Sequence, residues 1–125
     1  MHLIIGGAYQ GKTEYAKAHF ALKDEDIFTC TEDAEPDFSL PCVRHLEEYA
    51  LFCLRQGKEP LACLLAREEE WKHCIFLCND ISCGVVPIEQ ELRLWREAVG
   101  RMVCFLSAHA ERVTRLFCGL PQVLK

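Results

Sequence analysis

The sequence predicts an α/β fold, a three-layer arrangement with a mostly parallel sheet flanked by helices, on three observations. Short apolar runs of strand length alternate with longer segments whose apolar residues recur at helical spacing. A glycine-rich segment stands between the first run and the first helical segment. The run Cys74-Ile75-Phe76-Leu77-Cys78 is continuously apolar, the pattern of a strand buried on both faces of a parallel sheet.

Taken in order, His2 to Ile5 reads as a short buried strand and Lys12 to Leu22 as a helix with Ala16 and Phe20 facing inward. The polar cluster Lys23-Asp24-Glu25-Asp26 marks a turn, Ile27 to Cys30 a second strand, and Glu32 to Asp37 a solvated acidic loop. Between Pro41, read as a helix entry, and Gly57, read as a stop, Leu46, Tyr49, Ala50, Cys53 and Leu54 predict a helix over 41–56. Pro60 opens a shorter helix over 61–72, with Glu68-Glu69-Glu70 on a solvated face.

The strand at 74–78 ends in Asn79-Asp80, so it delivers polar groups to its carboxyl end, where open α/β sheets bind ligands. After a Gly84-Val85-Val86-Pro87 turn, Leu92, Trp95, Val99, Met102 and Leu106 mark one face of a long helix over 89–110. Val113 to Cys118 reads as the last major strand. Beyond Gly119 and Pro121, Val123-Leu124 returns as an antiparallel edge strand. No repeat or linker interrupts the pattern, and residues 1–125 are expected to form one domain.

Composition bounds the function. Half of the 125 residues are apolar, enough for one core, and the net charge of −5 lacks the basic excess of a nucleic-acid-binding face. Nucleic acid is therefore not an expected partner. No apolar run approaches the ~20 residues needed to span a bilayer, and Met1 to Gly7 has no basic stretch of a signal peptide, so a cytoplasmic protein is expected. Nine cysteines without a Cys-x-x-Cys pair read mainly as buried thiols, and Cys74, Cys78 and Cys83 form only a weak metal pattern.

The chemistry concentrates in Gly6-Gly7-Ala8-Tyr9-Gln10-Gly11-Lys12-Thr13, which satisfies the full Walker A spacing after a strand and before a helix. Such a loop curls so that backbone N–H groups converge on phosphate oxygens while the helix N-terminus adds partial positive charge. The fold is accordingly expected to be P-loop NTPase-like, with residues Gly6 to Thr13 binding ATP or GTP. Lys12 would neutralise the outer phosphates, and Thr13 would hold Mg2+ together with a strand-end carboxylate. Asp80 is the first candidate for that carboxylate and a catalytic residue with Lys12; Asp37 is the second.

Beyond the loop, the segment from Asn79 to Pro87 resembles Asn-Glu-Val-Gly-x-Gly-Ile-Val-Pro of the bifunctional adenosylcobinamide kinase and adenosylcobinamide-phosphate guanylyltransferase family of cobalamin biosynthesis. Trp95 to Arg101 is similar to that family's Phe-Arg-Asp-x-x-Gly-Arg segment, and Gly119 to Lys125 to its usual ending. The resemblance covers residues 1 to about 20 and 74–125. It implies a nucleotide-dependent kinase acting on a corrinoid alcohol such as adenosylcobinamide, and a homo-oligomer.

Residues 23–73 depart from the family, whose corresponding section is longer and carries a guanylylated histidine. His45 reads as an ordinary helix-surface histidine, and His19, His73 and His109 have no better claim. The guanylyltransferase half is therefore expected to be lost. Arg96 and Arg101 are secondary candidates for neutralising phosphate or corrinoid substituents. Two other readings stay open: a nucleotide-binding regulatory or assembly protein without turnover, and a different small-molecule kinase.

Overall fold

The computed structural model describes residues 1–81 and 88–125. Strand β1 (His2–Gly6) leads into helix α1 (Lys12–Phe20), which Ala21 ends in a left-handed cap whose N–H bonds to the Lys17 carbonyl. A single 3-10 turn (Asp24–Asp26) precedes β2 (Ile27–Thr29). Strand β3 (Cys42–Arg44) follows, then α2 (Leu46–Arg55), α3 (Pro60–Ala66) and α4 (Glu68–Trp71). Strand β4 (Ile75–Asn79), helix α5 (Gln90–His109) and the hairpin of β5 (Arg112–Phe117) and β6 (Leu120–Val123) complete the described elements. The Gly84 to Pro87 turn and Cys83 lie outside the described residues.

These strands form one sheet in the order β2-β3-β4-β1-β5-β6, parallel except for β6. The chain leaves β1 for the far edge at β2, returns strand by strand to β4 and then crosses β1 to reach β5. Reversing the direction of travel while every parallel crossover keeps its right hand puts α1 on one face and the later helices on the other. Packing agrees. Leu3, Val43, Phe76 and Val113 point into a large core with Leu46 and Tyr49 of α2, Leu64 of α3, Trp71 of α4 and Met102 and Leu106 of α5. The alternate residues Ile4, Cys42, Ile75, Leu77 and Leu116 form a smaller core under Ala16 of α1. The expected α/β class with helices on both sides of a mostly parallel sheet is what the chain adopts.

One element differs in kind from the sequence expectation. Residues 42–44 form a strand rather than the first turn of a helix, and α2 starts only at Leu46. Pro41 is not a helix entry: its carbonyl accepts the Ile75 N–H at 2.9 Å and so begins the β3–β4 ladder. Cys42 and Val43 are fully buried, one toward each core, which a three-residue strand achieves and a helix start would not. The expected 61–72 helix is two pieces divided at Arg67, whose guanidinium bonds Glu70 and lies 4.4 Å over the Phe38 ring. The C-terminal return is longer than expected, four residues including Pro121, a residue tolerated because β6 is an edge.

Candidate functional site

At the carboxyl ends of β1, β4 and β5 the chain builds one cleft. Gly6 closes β1 between Asn79 of β4 and Leu116 of β5, so tightly that a Cβ there would stand 2.6 Å from the Leu116 carbonyl oxygen. The next residues turn away from the sheet, with Tyr9 in a left-handed conformation (φ 61°) and its side chain fully exposed. Gly11, at φ 91°, precedes the first turn of α1, a conformation that L side chains rarely adopt. The loop is tied to the β5–β6 turn through Gln10, whose carbonyl accepts the Gly119 N–H at 3.0 Å and whose side-chain oxygen accepts the Cys118 N–H at 2.5 Å.

Lys12 opens α1 and is buried, with its Nζ donating to the Gly7 carbonyl at 2.6 Å. The amine therefore reaches back across the loop that precedes it. Burial pushes its pKa below the ordinary lysine value, against the opposing pull of Glu47 and Cys78. Thr13 follows on the first turn, half-buried. Asp80 leaves the end of β4 with its backbone N–H on the Gly6 carbonyl at 2.8 Å, which fixes it beside the start of the loop. Gly6, Gly7, Gln10, Asp80, Arg115 and Phe117 line a cleft of about 190 Å³. A second cavity of about 150 Å³ lies behind Asp80, between Ile5, Cys78 and the Val99 to Cys104 stretch of α5.

Two residues that sequence reasoning passed over belong to this end of the sheet. Arg115, paired in register with Ile5 on β1, places a cation in the wall of the cleft and makes no ion pair among the described residues. Only the β1–β5 register, which strand alternation cannot supply, puts it beside Gly7. Glu47, in the first turn of α2, is 1% exposed. Its Oε2 accepts the Asn79 N–H at 3.1 Å, and its Oε1 stands 3.3 Å from His45 Nδ1. Its backbone carbonyl accepts the Trp95 Nε1–H at 2.7 Å, which joins α2 to α5.

His45 itself is not a helix-surface residue as expected. It precedes α2 in a left-handed conformation (φ 59°, ψ 44°), with 43% of its side chain exposed.

Other expected residues fall elsewhere. Asp37 accepts from the Ser39 N–H at 2.9 Å and the Ser39 hydroxyl at 2.6 Å, a local turn that holds its carboxyl below the usual carboxylate range. The neighbouring Phe38 carbonyl takes the Cys74 thiol just before β4, so Asp37 lies near the end of that strand opposite to Asp80. Arg101 faces Glu59 at 3.7 Å, and Arg96 is half-buried on α5. His19 stacks on Tyr15, His109 Nδ1 contacts the Phe105 carbonyl, and His73 is exposed.

Of the cysteines, Cys30, Cys42, Cys53, Cys74 and Cys78 are buried, and burial pushes Cys30, Cys42 and Cys53 up to about 12. Among the described residues no three metal-ligating side chains converge, and no helix is long and apolar enough to cross a membrane. Compared with known proteins, the chain matches no family model and no curated protein.

Proposed function

We propose that the chain is a P-loop phosphotransferase of the cobinamide-kinase type, which uses Mg-ATP or Mg-GTP to phosphorylate a corrinoid alcohol and carries no nucleotidyl-transfer half. The observation that carries the nucleotide site is the buried Lys12 amine folded onto Gly7 at 2.6 Å, behind a left-handed Gly11 at the head of a helix. A loop of that shape surrounds an anion with backbone N–H groups, and the lysine supplies the charge that a polyphosphate needs. Thr13 and Asp80 offer a hydroxyl and a carboxylate, hard oxygen donors suited to a magnesium ion that keeps waters and phosphate oxygens as its other ligands. When bound, that ion would neutralise charge shared by the outer phosphates.

In the transfer itself the acceptor hydroxyl oxygen bonds to the terminal phosphorus as the bond to the bridging oxygen breaks, and the nucleoside diphosphate leaves. Such chemistry relies chiefly on positioning and charge neutralisation. Arg115 in the wall of the cleft and Lys12, whose amine folds back onto Gly7, supply the cations. The corrinoid acceptor rests on the sequence resemblance of residues 79–87, 95–101 and 119–125. Incubation with labelled ATP or GTP, magnesium and adenosylcobinamide tests the whole reading, and a phosphorylated corrinoid is the expected product. Tight nucleotide binding without turnover would assign the chain to nucleotide-dependent regulation or assembly instead. Lys12→Ala should abolish calorimetric nucleotide binding; unchanged affinity would remove the phosphate site itself.

A further inference from the structure

We infer that His45 and Glu47 form a proton-accepting dyad for the acceptor hydroxyl, with His45 Nε2 as the catalytic base and Glu47 as its positioning residue. The inference rests on the phosphotransferase reading above. An alcohol must lose its proton in becoming a phosphate ester, and His45 is the imidazole at the end of the sheet where the cleft lies.

The geometry divides the work between the two groups. Glu47 is sealed, at 1% exposure, and cannot touch a substrate. His45 is open, with 43% of its side chain accessible. Of the two imidazole nitrogens, Nδ1 is the one that faces the Glu47 carboxylate, with Oε1 3.3 Å away, so a hydrogen on Nδ1 is favoured electrostatically over one on Nε2. That tautomer leaves the Nε2 lone pair directed away from Glu47 and free to take a proton, the same division of roles that orients an imidazole base in hydrolytic triads. The second carboxylate oxygen is held by the Asn79 N–H at 3.1 Å, so the dyad is braced against the strand end that carries Asp80.

Two further observations place the dyad in the functional end of the molecule. Glu47 is close enough to Lys12 to oppose the fall in that amine's pKa, which links it electrically to the glycine-rich loop. His45 follows β3, one strand from β4 and two from β1, or roughly 10 Å across the sheet at about 4.8 Å per strand. This sets it on the side of Asp80 away from Arg115, so that a nucleotide in the cleft and a hydroxyl at His45 would approach from opposite sides. The left-handed backbone of His45 is a sparsely populated conformation for a residue with a Cβ, and such positions concentrate where a side chain must be aimed.

In the step proposed, the acceptor oxygen forms its bond to the terminal phosphorus while its proton passes to Nε2. The bridging P–O bond breaks and its electron pair leaves with the nucleoside diphosphate. The imidazolium then faces the Glu47 carboxylate until it releases the proton to solvent. The neighbouring charged groups are Glu48 on the same helix turn and Arg44 at the end of β3, whose Nε is already bonded to Thr29.

His45→Gly tests the base, because glycine adopts a φ near 59° without strain and leaves a hole of imidazole size. With the full chain, Mg-ATP and adenosylcobinamide, kcat should fall by about 10²–10³ while nucleotide Kd stays within about twofold, and added free imidazole should restore at least about tenfold of the loss. His45→Asn, which also tolerates this conformation, should show the same fall. Glu47→Gln should lower kcat about tenfold with nucleotide KM unchanged, the split expected of a positioning residue. A wild-type chain that turns over while His45→Gly keeps its kcat, or is not rescued by imidazole, overturns the dyad alone. A wild-type chain with no turnover removes the phosphotransferase reading and the dyad with it.

Discussion

Replacing Gly6 by alanine tests the closest approach in the site, since its Cβ would meet the Leu116 carbonyl oxygen at 2.6 Å. Ordinary carbon–oxygen contacts begin at roughly 3.3 Å. About 0.7 Å of separation must therefore come from β1 or β5, and neither strand is free to give it. Gly6 is in register with both Asn79 and Leu116, and its carbonyl also holds the Asp80 N–H at 2.8 Å. Forcing one extra carbon into such a place costs about 1–3 kcal/mol. For a chain of this size that is a fall in melting temperature of roughly 4–15 °C.

Two other glycines calibrate the experiment. A Cβ at Gly7 would meet only the flexible Gln10 Cγ at 3.5 Å, so Gly7→Ala should change stability by less than about 0.5 kcal/mol. Gly100, inside α5, has no described atom within 4 Å of an added Cβ, so Gly100→Ala should stabilise by about 0.5–1 kcal/mol. Thermal and urea unfolding followed by circular dichroism would rank the three. The reasoning fails if Gly6→Ala melts with the parent protein, or if Gly6 and Gly7 behave alike.

Arg115→Ala should weaken ATP binding by about tenfold at low salt and leave the melting temperature unchanged, since the side chain is exposed and unpaired among the described residues; calorimetry reads both. Glu47→Ala should cost about 2–4 kcal/mol in urea unfolding because it empties a sealed site and strands the Asn79 N–H, whereas Glu47→Gln, which can still accept that bond, should lose less than half as much. His2 supplies a pH dependence. Its pKa is lowered by burial, against the pull of Glu111 3.7 Å away, and its buried Nδ1 has no hydrogen-bond partner among the described residues. The unfolded chain binds the proton more readily, so stability rises with pH from the lowered folded value up to about 6.5 and falls on acidification. His2→Gln should flatten the rise of melting temperature with pH below about 6.5, and an unchanged slope there would assign the effect to another group.

The parts of this site written in contiguous residues were legible before folding. The glycine-rich loop, the strand before it, the helix after it and the apolar strand ending at Asp80 depend on spacing within a few positions. What eluded sequence reasoning depends on neighbours far along the chain. Cys42-Val43-Arg44 is too short to show a period, and only a ladder with Phe76 reveals it as a strand. Glu47 stands in a Glu-Glu pair at a helix start, a pattern that ordinarily faces solvent, and its burial is decided by Asn79 and Trp95, more than thirty residues away. His45 reads as a helix-surface residue only when a helix is drawn through it; with β3 in place, it stands at the joint between strand and helix.

The unequal covering of the two sheet faces has a consequence for how the molecule opens. Four helices share the large core, but α1 is a nine-residue helix whose fully buried apolar contribution is Ala16, backed by partly buried Tyr15 and Phe20. Regions with few buried apolar contacts unfold locally at a fraction of the global free energy. The helix that begins with Lys12 and Thr13 should therefore exchange its amide hydrogens before β1, β4 or α5 do, as a separate unit of folding. Anything that grips the loop at its head would slow that exchange selectively, which makes α1 a built-in reporter of occupancy, readable amide by amide even without turnover.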